Sequence, residues 1–157
     1  MGKKTKFTYY GGMCVLVERS DGFKMLFDPY IKKNKQTDAK LSDFFDVDLI
    51  FVTHHASDHY GDVVELLDNS KAQLIAPSDC IYYVKKEVQK PLEEAKKDPE
   101  NGRLYASAYG DERIFGVTKT HTVNAVHLSK GDVNSVPVYG LPSGFVVEIE
   151  NGVTYYH

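Results

Sequence analysis

The sequence contains no tryptophan and only two cysteines, Cys14 and Cys80, in 157 residues. Two thiols so far apart do not make a disulfide framework, so a reducing cytoplasm is the expected location. No run approaches the roughly 20 apolar residues that a membrane helix needs, and no apolar run follows the start of the chain to make a signal peptide. The net charge of −3 lacks the basic excess that phosphate contacts require. We therefore expect partners other than nucleic acid and membranes.

The composition is that of an ordinary globular protein. Hydrophobic residues make up 42% of the chain and charged residues 26%, which is far from a disordered composition. A chain of this length can bury most of its apolar surface without a metal or disulfide staple. The sequence therefore predicts a single domain spanning residues 1–157.

The residue pattern predicts β-structure at both ends and an α/β unit between them. Short apolar runs separated by glycine-containing breaks predict an N-terminal hairpin up to Phe27. Residues 48–97 follow the order strand, loop, helix, strand, helix, with Asp62 as the expected cap of the first helix. Strands are expected again from Leu104, and Asn151-Gly152 predicts a tight hairpin near the end. Residues 128–142 are expected to form a long loop.

One polar cluster directly follows the buried strand expected at residues 48–53. Three histidines and two aspartates occur within the nine residues from His54 to Asp62. Such groups cannot all be buried unpaired, because each has a large desolvation cost. A loop at the carboxyl end of a strand is where α/β folds place ligand sites, and imidazoles with carboxylates suit Zn, Fe, Mn or Ni. The alternative is a solvated polar loop with one hydrogen-bonded histidine.

The cluster resembles the metal-binding loop of the metallo-β-lactamase superfamily, whose pattern is T-H-x-H-x-D-H-x-G. The matching residues are Thr53, His54, Asp58, His59 and Gly61. Ala56 stands where the second histidine belongs. His55 is adjacent to this gap, but neighbouring side chains point apart on an extended backbone.

The flanking segments resemble the branch of that superfamily that includes ascorbate-6-phosphate lactonase-like hydrolases. Residues 7–18 and 25–29 are similar to its opening hairpin, and Asp28-Pro29 matches its D-P corner. Residues 123–129 resemble the segment that carries the next metal-binding histidine, here His127. The branch usually has G-H-S where this chain has Gly11-Gly12-Met13. The resemblance implies an α/β fold of the α+β type, an αββα sandwich that is incomplete at its C-terminal end.

The resemblance also implies a role for each matching residue. His54 and His127 would bind a first metal ion, and Asp58 and His59 a second, most plausibly Zn with Mn or Fe as alternatives. Asp58 would also orient the attacking water, which makes it the expected catalytic residue. In the family a bridging aspartate and a last histidine follow the strand that ends here at His157, so the sequence is expected to be most of a longer hydrolase.

Three functions remain open from the sequence. The first is a metal-dependent hydrolase of a small metabolite, with metal-activated water attacking an ester, lactone or phosphoester. The second is an impaired or non-catalytic relative that binds one metal ion or binds weakly. The third is a metal-storage or regulatory module. An incomplete sandwich would expose a sheet edge or face, so a homo-oligomer is possible. His121 is either a pocket residue or, as we favour, a surface histidine.

Overall fold

The computed structural model describes residues 4–88, 102–133 and 135–157. Two α-helices, a short 3-10 turn and twelve strands are assigned within them. The helices are α1 (Val63–Asn69) and α2 (Ser78–Glu87), and the turn is Leu41–Phe44. The strands are β1 (Lys6–Gly11), β2 (Cys14–Glu18), β3 (Lys24–Phe27), β4 (Leu49–Phe51), β5 (Gln73–Pro77), β6 (Leu104–Ser107), β7 (Glu112–Phe115), β8 (Thr118–Asn124), β9 (Ser129–Val133), β10 (Val136–Gly140), β11 (Ser143–Glu150) and β12 (Val153–Tyr156).

The strands form two principal sheets and one separate hairpin. The large sheet has the order β1-β2-β3-β4-β5-β6, antiparallel up to β3 and parallel from β3 to β6. The small sheet has the order β12-β11-β8-β7 and is antiparallel throughout. Strands β9 and β10 pair only with each other among the described residues. The parallel part of the large sheet gathers the carboxyl ends of β3, β4 and β5 at one edge, where ligand sites are expected.

Two apolar layers hold the fold together. One layer lies between the sheets and joins Phe27 and Phe51 of the large sheet to Phe145 of the small sheet. The other lies between the large sheet and the helices and includes Ile50 and Leu66. Strand β4 contributes to both layers, because Leu49 and Phe51 face the small sheet whereas Ile50 faces the helices. This explains its continuous apolar sequence, which is typical of a strand buried on both faces.

The mixed α/β class and most of the expected elements are confirmed. The N-terminal hairpin, the buried strand at residues 49–51 and the hairpin at Asn151-Gly152 are all present. The last has positive φ at both turn residues, 47° and 77°, as a tight primed turn requires. The expected extension of the second helix to about residue 97 lies outside the described residues.

Two local predictions are wrong. Residues 128–142 are not a long loop, because β9 and β10 form a hairpin there. Glycine, proline and polar residues are typical of loops, but here they lie in two five-residue strands. Among the described residues, these strands pair with each other and with no other strand. Asp62 stands at the start of α1 but does not cap it. Its Oδ2 instead accepts the backbone N–H groups of Ile31 and Lys32, at 2.8 and 2.9 Å.

The two cysteines lie in the interior, as expected for core residues. Cys14 and Cys80 are both buried and carry free thiols. Burial raises the pKa of the Cys14 thiol to about 12 and that of Cys80 well above its ordinary value. Neither thiol is a reactive nucleophile in this environment. Within the described ranges, no helix has the length and apolar character needed to cross a membrane.

Candidate metal centre

The histidine-rich loop is a compact turn that follows β4. The carbonyl of His54 accepts the N–H of Ala56, and the carbonyl of Ala56 accepts the N–H groups of His59 and Tyr60. Gly61 ends the turn with φ at 41°, and a Cβ there would collide with the carbonyl oxygen of Pro29. The loop therefore needs glycine both for its backbone conformation and for this close approach. The turn brings the rings of His54 and His59 together, with centroids 4.1 Å apart.

A fully buried carboxylate, Asp28, supports this loop from the end of β3. Its Oδ1 accepts the backbone N–H of Thr53 at 2.8 Å. Its Oδ2 accepts the Thr53 hydroxyl at 2.8 Å, His59 Nδ1 at 2.6 Å and His157 Nε2 at 3.0 Å. Asp28 itself has φ at 42°, a strained value that persists when the surroundings fix the side chain. One carboxylate therefore connects β3, β4, the loop and the residue after β12.

These hydrogen bonds determine which ring nitrogen of each histidine carries the proton. The Thr53 hydroxyl donates to Asp28, so its oxygen is left to accept from Nδ1–H of His54, 2.9 Å away. His59 donates its own Nδ1–H to Asp28. In the neutral form of each ring, Nε2 is then the unprotonated nitrogen. Nε2 of His54 is buried and has no hydrogen-bond partner in the part of the chain that the structure describes.

The electrostatics of the site shift the pKa values of the two rings in opposite directions. Burial, followed by the neighbouring His59, lowers the pKa of His54 to about 4, so its Nε2 lone pair is available at neutral pH. Burial lowers the pKa of His59, but the hydrogen bond and charge of Asp28 outweigh burial and raise it. Burial raises the pKa of Asp28, yet hydrogen bonds from His157 and His59 hold it well below its ordinary value. Asp28 is therefore a permanent anion at the base of the site.

The other two expected ligands lie at the same place but on the surface. His127 is exposed in the segment after β8, with its ring centroid 4.9 Å from that of His54. Asp58 has a side chain 62% exposed, and its Oδ2 lies 3.9 Å from Nε2 of His59. The fold thus brings His54, Asp58, His59 and His127 into one neighbourhood. Across the described residues, however, no three His, Cys, Asp or Glu side chains are positioned to enclose one ion.

Two further histidines lie elsewhere. His55 is 3% exposed and points away from the site, stacked on Tyr60 with ring centroids 4.2 Å apart. It packs against Gly131 of β9, where any Cβ would collide with its ring. His121 pairs with Glu112 and Glu148 on the two neighbouring strands, at 2.8 Å each. Strand β8 ends at Asn124, so His127 lies beyond the strand that carries His121.

The sequence reasoning missed two supporting residues, Asp28 and His157. Asp28 was visible only as part of a D-P corner, and nothing local indicated that its carboxylate would reach Thr53 and His59. His157 was left out of the expected ligand set, and its contact with Asp28 across 129 residues gives no sequence signal. Long-range pairing of this kind becomes apparent only once the sheets are assembled.

The donor set is chemically suited to a divalent metal ion. Imidazole nitrogens backed by a carboxylate or hydroxyl are the usual arrangement around bound Zn²⁺. Two imidazoles on one tetrahedral ion, with bonds of about 2.0–2.1 Å, have ring centroids roughly 5 Å apart. The rings of His54 and His127, the pair expected on one ion, have centroids 4.9 Å apart, which is near that value. The buried Nε2 of His54, which has no hydrogen-bond partner among the described residues, is consistent with this fit.

Comparison with known proteins agrees with the sequence resemblance. Residues 8–148 match the family model described as Metallo-beta-lactamase superfamily. A UPF0173 metal-dependent hydrolase of Pyrococcus horikoshii is 36% identical over 152 residues, covering 97% of this chain and 60% of the relative. Another, from Rubrobacter xylanophilus, is 32% identical over 155 residues, covering 98% and 59%. The chain thus spans about 60% of the length of these relatives.

Solved structures show the same fold. The metallo hydrolase Igni18 of Ignicoccus hospitalis superimposes with a TM-score of 0.69 at 23% identity, covering 98% of this chain and 59% of that one. A metallo-beta-lactamase of Cronobacter sakazakii gives a TM-score of 0.62 at 15% identity, covering 96% and 60%. The expected fold class is confirmed by these likenesses. The loop of His54 to Gly61, the strand order around it and the family match together show that this chain belongs to the metallo-β-lactamase superfamily.

Proposed function

We propose that this chain carries the metal-binding part of a metal-dependent hydrolase. The observation that supports the proposal most strongly is the pair of Nε2 lone pairs on His54 and His59, fixed by Thr53 and Asp28. This arrangement does not stabilise the metal-free fold, because the buried Nε2 of His54 has no hydrogen-bond partner among the described residues. A buried polar group without a partner costs about 1–3 kcal/mol. A bound cation offsets this cost. We therefore infer that the site binds a ligand that accepts electron pairs, namely a metal cation.

Each of the four ligands has a distinct contribution. His54 and His59 supply rigid imidazole nitrogens, whereas His127 and Asp58 are exposed and can move to complete the coordination. The bound metal lowers the pKa of a water molecule and stabilises negative charge on the attacked group. In this proposal Asp58 orients that water and holds its proton; its carboxylate is adjacent to His59 and open to solvent.

The substrate we propose is a small metabolite with an ester, lactone or phosphoester bond. The relatives from Pyrococcus and Rubrobacter are called metal-dependent hydrolases, and the same activity for this chain is our inference. We propose Zn²⁺ as the ion, with Mn²⁺ or Fe²⁺ as alternatives, because a site of two imidazoles with a carboxylate suits all three. The expected setting is the cytoplasm, without nucleic-acid or membrane partners.

A second candidate function is metal binding without catalysis. Ala56 replaces a ligand of the family pattern, and among the described residues no three ligands enclose an ion. These two observations favour a single, weakly bound ion. This candidate differs from the first in stoichiometry and in activity, so both can be tested on the same preparation.

The test is to load the purified chain with Zn²⁺, Mn²⁺ or Fe²⁺, measure bound metal, and assay hydrolysis of ester, lactone and phosphoester substrates. The hydrolase proposal predicts metal-dependent turnover that Asp58→Asn lowers by about 10²-fold or more. Asp111→Asn, an aspartate of the β6–β7 turn, is the matched control. Binding of one ion with no turnover would support the second candidate instead. Absence of binding for all three metals would overturn both.

A further inference from the structure

His157 lies at the junction of the two sheets, directly beneath the histidine-rich loop. Its backbone N–H and carbonyl exchange hydrogen bonds with Phe145 of β11, at 2.9 and 3.0 Å. Its side chain is 1% exposed, and its ring packs against Phe27 with centroids 5.0 Å apart. The small sheet therefore places this imidazole at the end of β3, next to Asp28. The Asp28 carboxylate accepts hydrogen bonds from Thr53 and His59 and so supports the loop.

The ring has a defined tautomer. Nδ1 of His157 lies 2.9 Å from the Tyr155 hydroxyl, and Nε2 lies 3.0 Å from Oδ2 of Asp28. A carboxylate can only accept, so Nε2 must carry the proton. The Tyr155 hydroxyl then donates to the unprotonated Nδ1. Burial, followed by the charge of Asp28, raises the pKa of Tyr155 to about 12, so the hydroxyl remains a donor.

We propose that His157 is a positioning residue for the metal centre: its Nε2–H fixes the Asp28 carboxylate, which in turn fixes the ring of His59. This inference rests on the proposed metal-binding function. His157 does not contact the metal in this scheme. It acts through Asp28, whose Oδ2 has Thr53 and His59 as its other donors among the described residues.

A third donor matters because a carboxylate with fewer donors can adopt more orientations. Asp28 is fully buried, and its φ is positive. With donors from Thr53, His59 and His157, Oδ2 is held by three separate segments of the chain. Loss of the His157 donor removes one of these three restraints and widens the range of orientations open to the carboxylate. His59 would then lose both its fixed tautomer and its fixed orientation.

The alternative is that His157 only fills space between the sheets. Two substitutions separate these roles. His157→Leu keeps the volume but has no donor, whereas His157→Gln places an amide N–H near the position of Nε2. His157→Asn, whose donor falls short of Asp28, serves as a second variant without the bond should the leucine variant fail to fold. Ile149→Val is the control, because Ile149 lies in the same inter-sheet layer at the far end of β11.

The experiment measures Zn²⁺ affinity by titration calorimetry and the tautomer of His59 by two-bond ¹H–¹⁵N NMR of the metal-free chain. We expect His157→Leu to raise the Kd about 10–100-fold, the range found for residues behind metal ligands. We expect His157→Gln and Ile149→Val to stay within about threefold of wild type. His59 should be a single Nδ1–H tautomer in wild type and in His157→Gln, and a mixture of tautomers in His157→Leu.

The two readouts keep this inference separate from the proposed function. A wild-type chain that binds no metal would contradict the proposed function, while the tautomer of His59 would still test the role of His157. A single His59 tautomer in both His157→Leu and His157→Asn would overturn the inference, whatever the metal affinity. Equal loss of affinity in the leucine and glutamine variants would also overturn it, since packing alone would then explain the effect.

Discussion

Replacement of Asp28 by asparagine tests the hydrogen-bond network of the site most severely. Asparagine has the same shape, but one of its two terminal atoms is an N–H₂ group that cannot accept a hydrogen bond. Asp28 accepts four hydrogen bonds, one at Oδ1 and three at Oδ2. Either orientation of the amide therefore leaves at least one donor facing another donor. The surviving bonds also lose the strength that the carboxylate charge gives them.

The expected loss of stability follows from these contacts. Hydrogen bonds to charged groups contribute about 1.5–3 kcal/mol and neutral ones about 0.5–1.5 kcal/mol, while a buried unmatched donor costs about 1–3 kcal/mol. Removal of a buried charge offsets part of this loss. We expect Asp28→Asn to lower the free energy of unfolding by about 3 kcal/mol. We also expect it to weaken Zn²⁺ binding about 10–100-fold, because His59 loses its support.

Urea denaturation and calorimetric titration measure the two effects. Asp46→Asn is the matched control, since its carboxylate is 65% exposed and pairs only with Lys24 in the contacts found. We expect that control to change stability by less than about 0.5 kcal/mol and to leave Zn²⁺ affinity unchanged. An Asp28→Asn variant that unfolds at the wild-type urea concentration and binds Zn²⁺ as tightly would refute the reasoning.

Three further predictions follow from the same loop. Gly61→Ala places a Cβ against the carbonyl of Pro29 at a positive φ, and we expect a loss of about 2–3 kcal/mol in urea unfolding. His54 binds a proton with pKa about 4 when folded and about 6.5 when unfolded. The unfolded state thus binds more protons between these values, and the metal-free chain should lose about 1–2 kcal/mol from pH 6.5 to pH 4, a slope that His54→Gln removes in pH-dependent denaturation. Ala56→His restores a ligand of the family pattern, and we expect Zn²⁺ affinity to rise about tenfold or more by calorimetry; unchanged affinity would show that position 56 faces away from the ion.

Local patterns in the sequence predicted the parts of the fold that local physics controls. The apolar run at Leu49–Phe51 indicated a strand buried on both faces, and Asn151-Gly152 indicated a tight hairpin. Both are confirmed. The β9–β10 hairpin was missed because its strands contain glycine and proline, which are typical of loops, and in the described ranges they pair with each other and not with either main sheet.

The site was only partly predictable for a related reason. The motif identified the cluster that contains His54 and His59, and the ring of His55, next in sequence, is stacked on Tyr60. The support of that cluster comes from Asp28 and His157, which are 129 residues apart and meet only when the two sheets pack together. The outward position of His121 likewise depends on Glu112 and Glu148 from neighbouring strands. No single-sequence pattern encodes such contacts.

The most direct test of the account compares Zn²⁺ binding of His59→Ala and His55→Ala by calorimetric titration at neutral pH. Both variants remove a histidine from the same loop, but only His59 has a ring nitrogen oriented by Asp28 and facing His54. His55 is stacked on Tyr60 on the other side of the loop. We predict that His59→Ala weakens Zn²⁺ binding by at least about tenfold, while His55→Ala stays within about threefold of wild type. Equal weakening in the two variants, or no Zn²⁺ binding by the wild-type chain, would contradict the assignment of this loop as a metal centre.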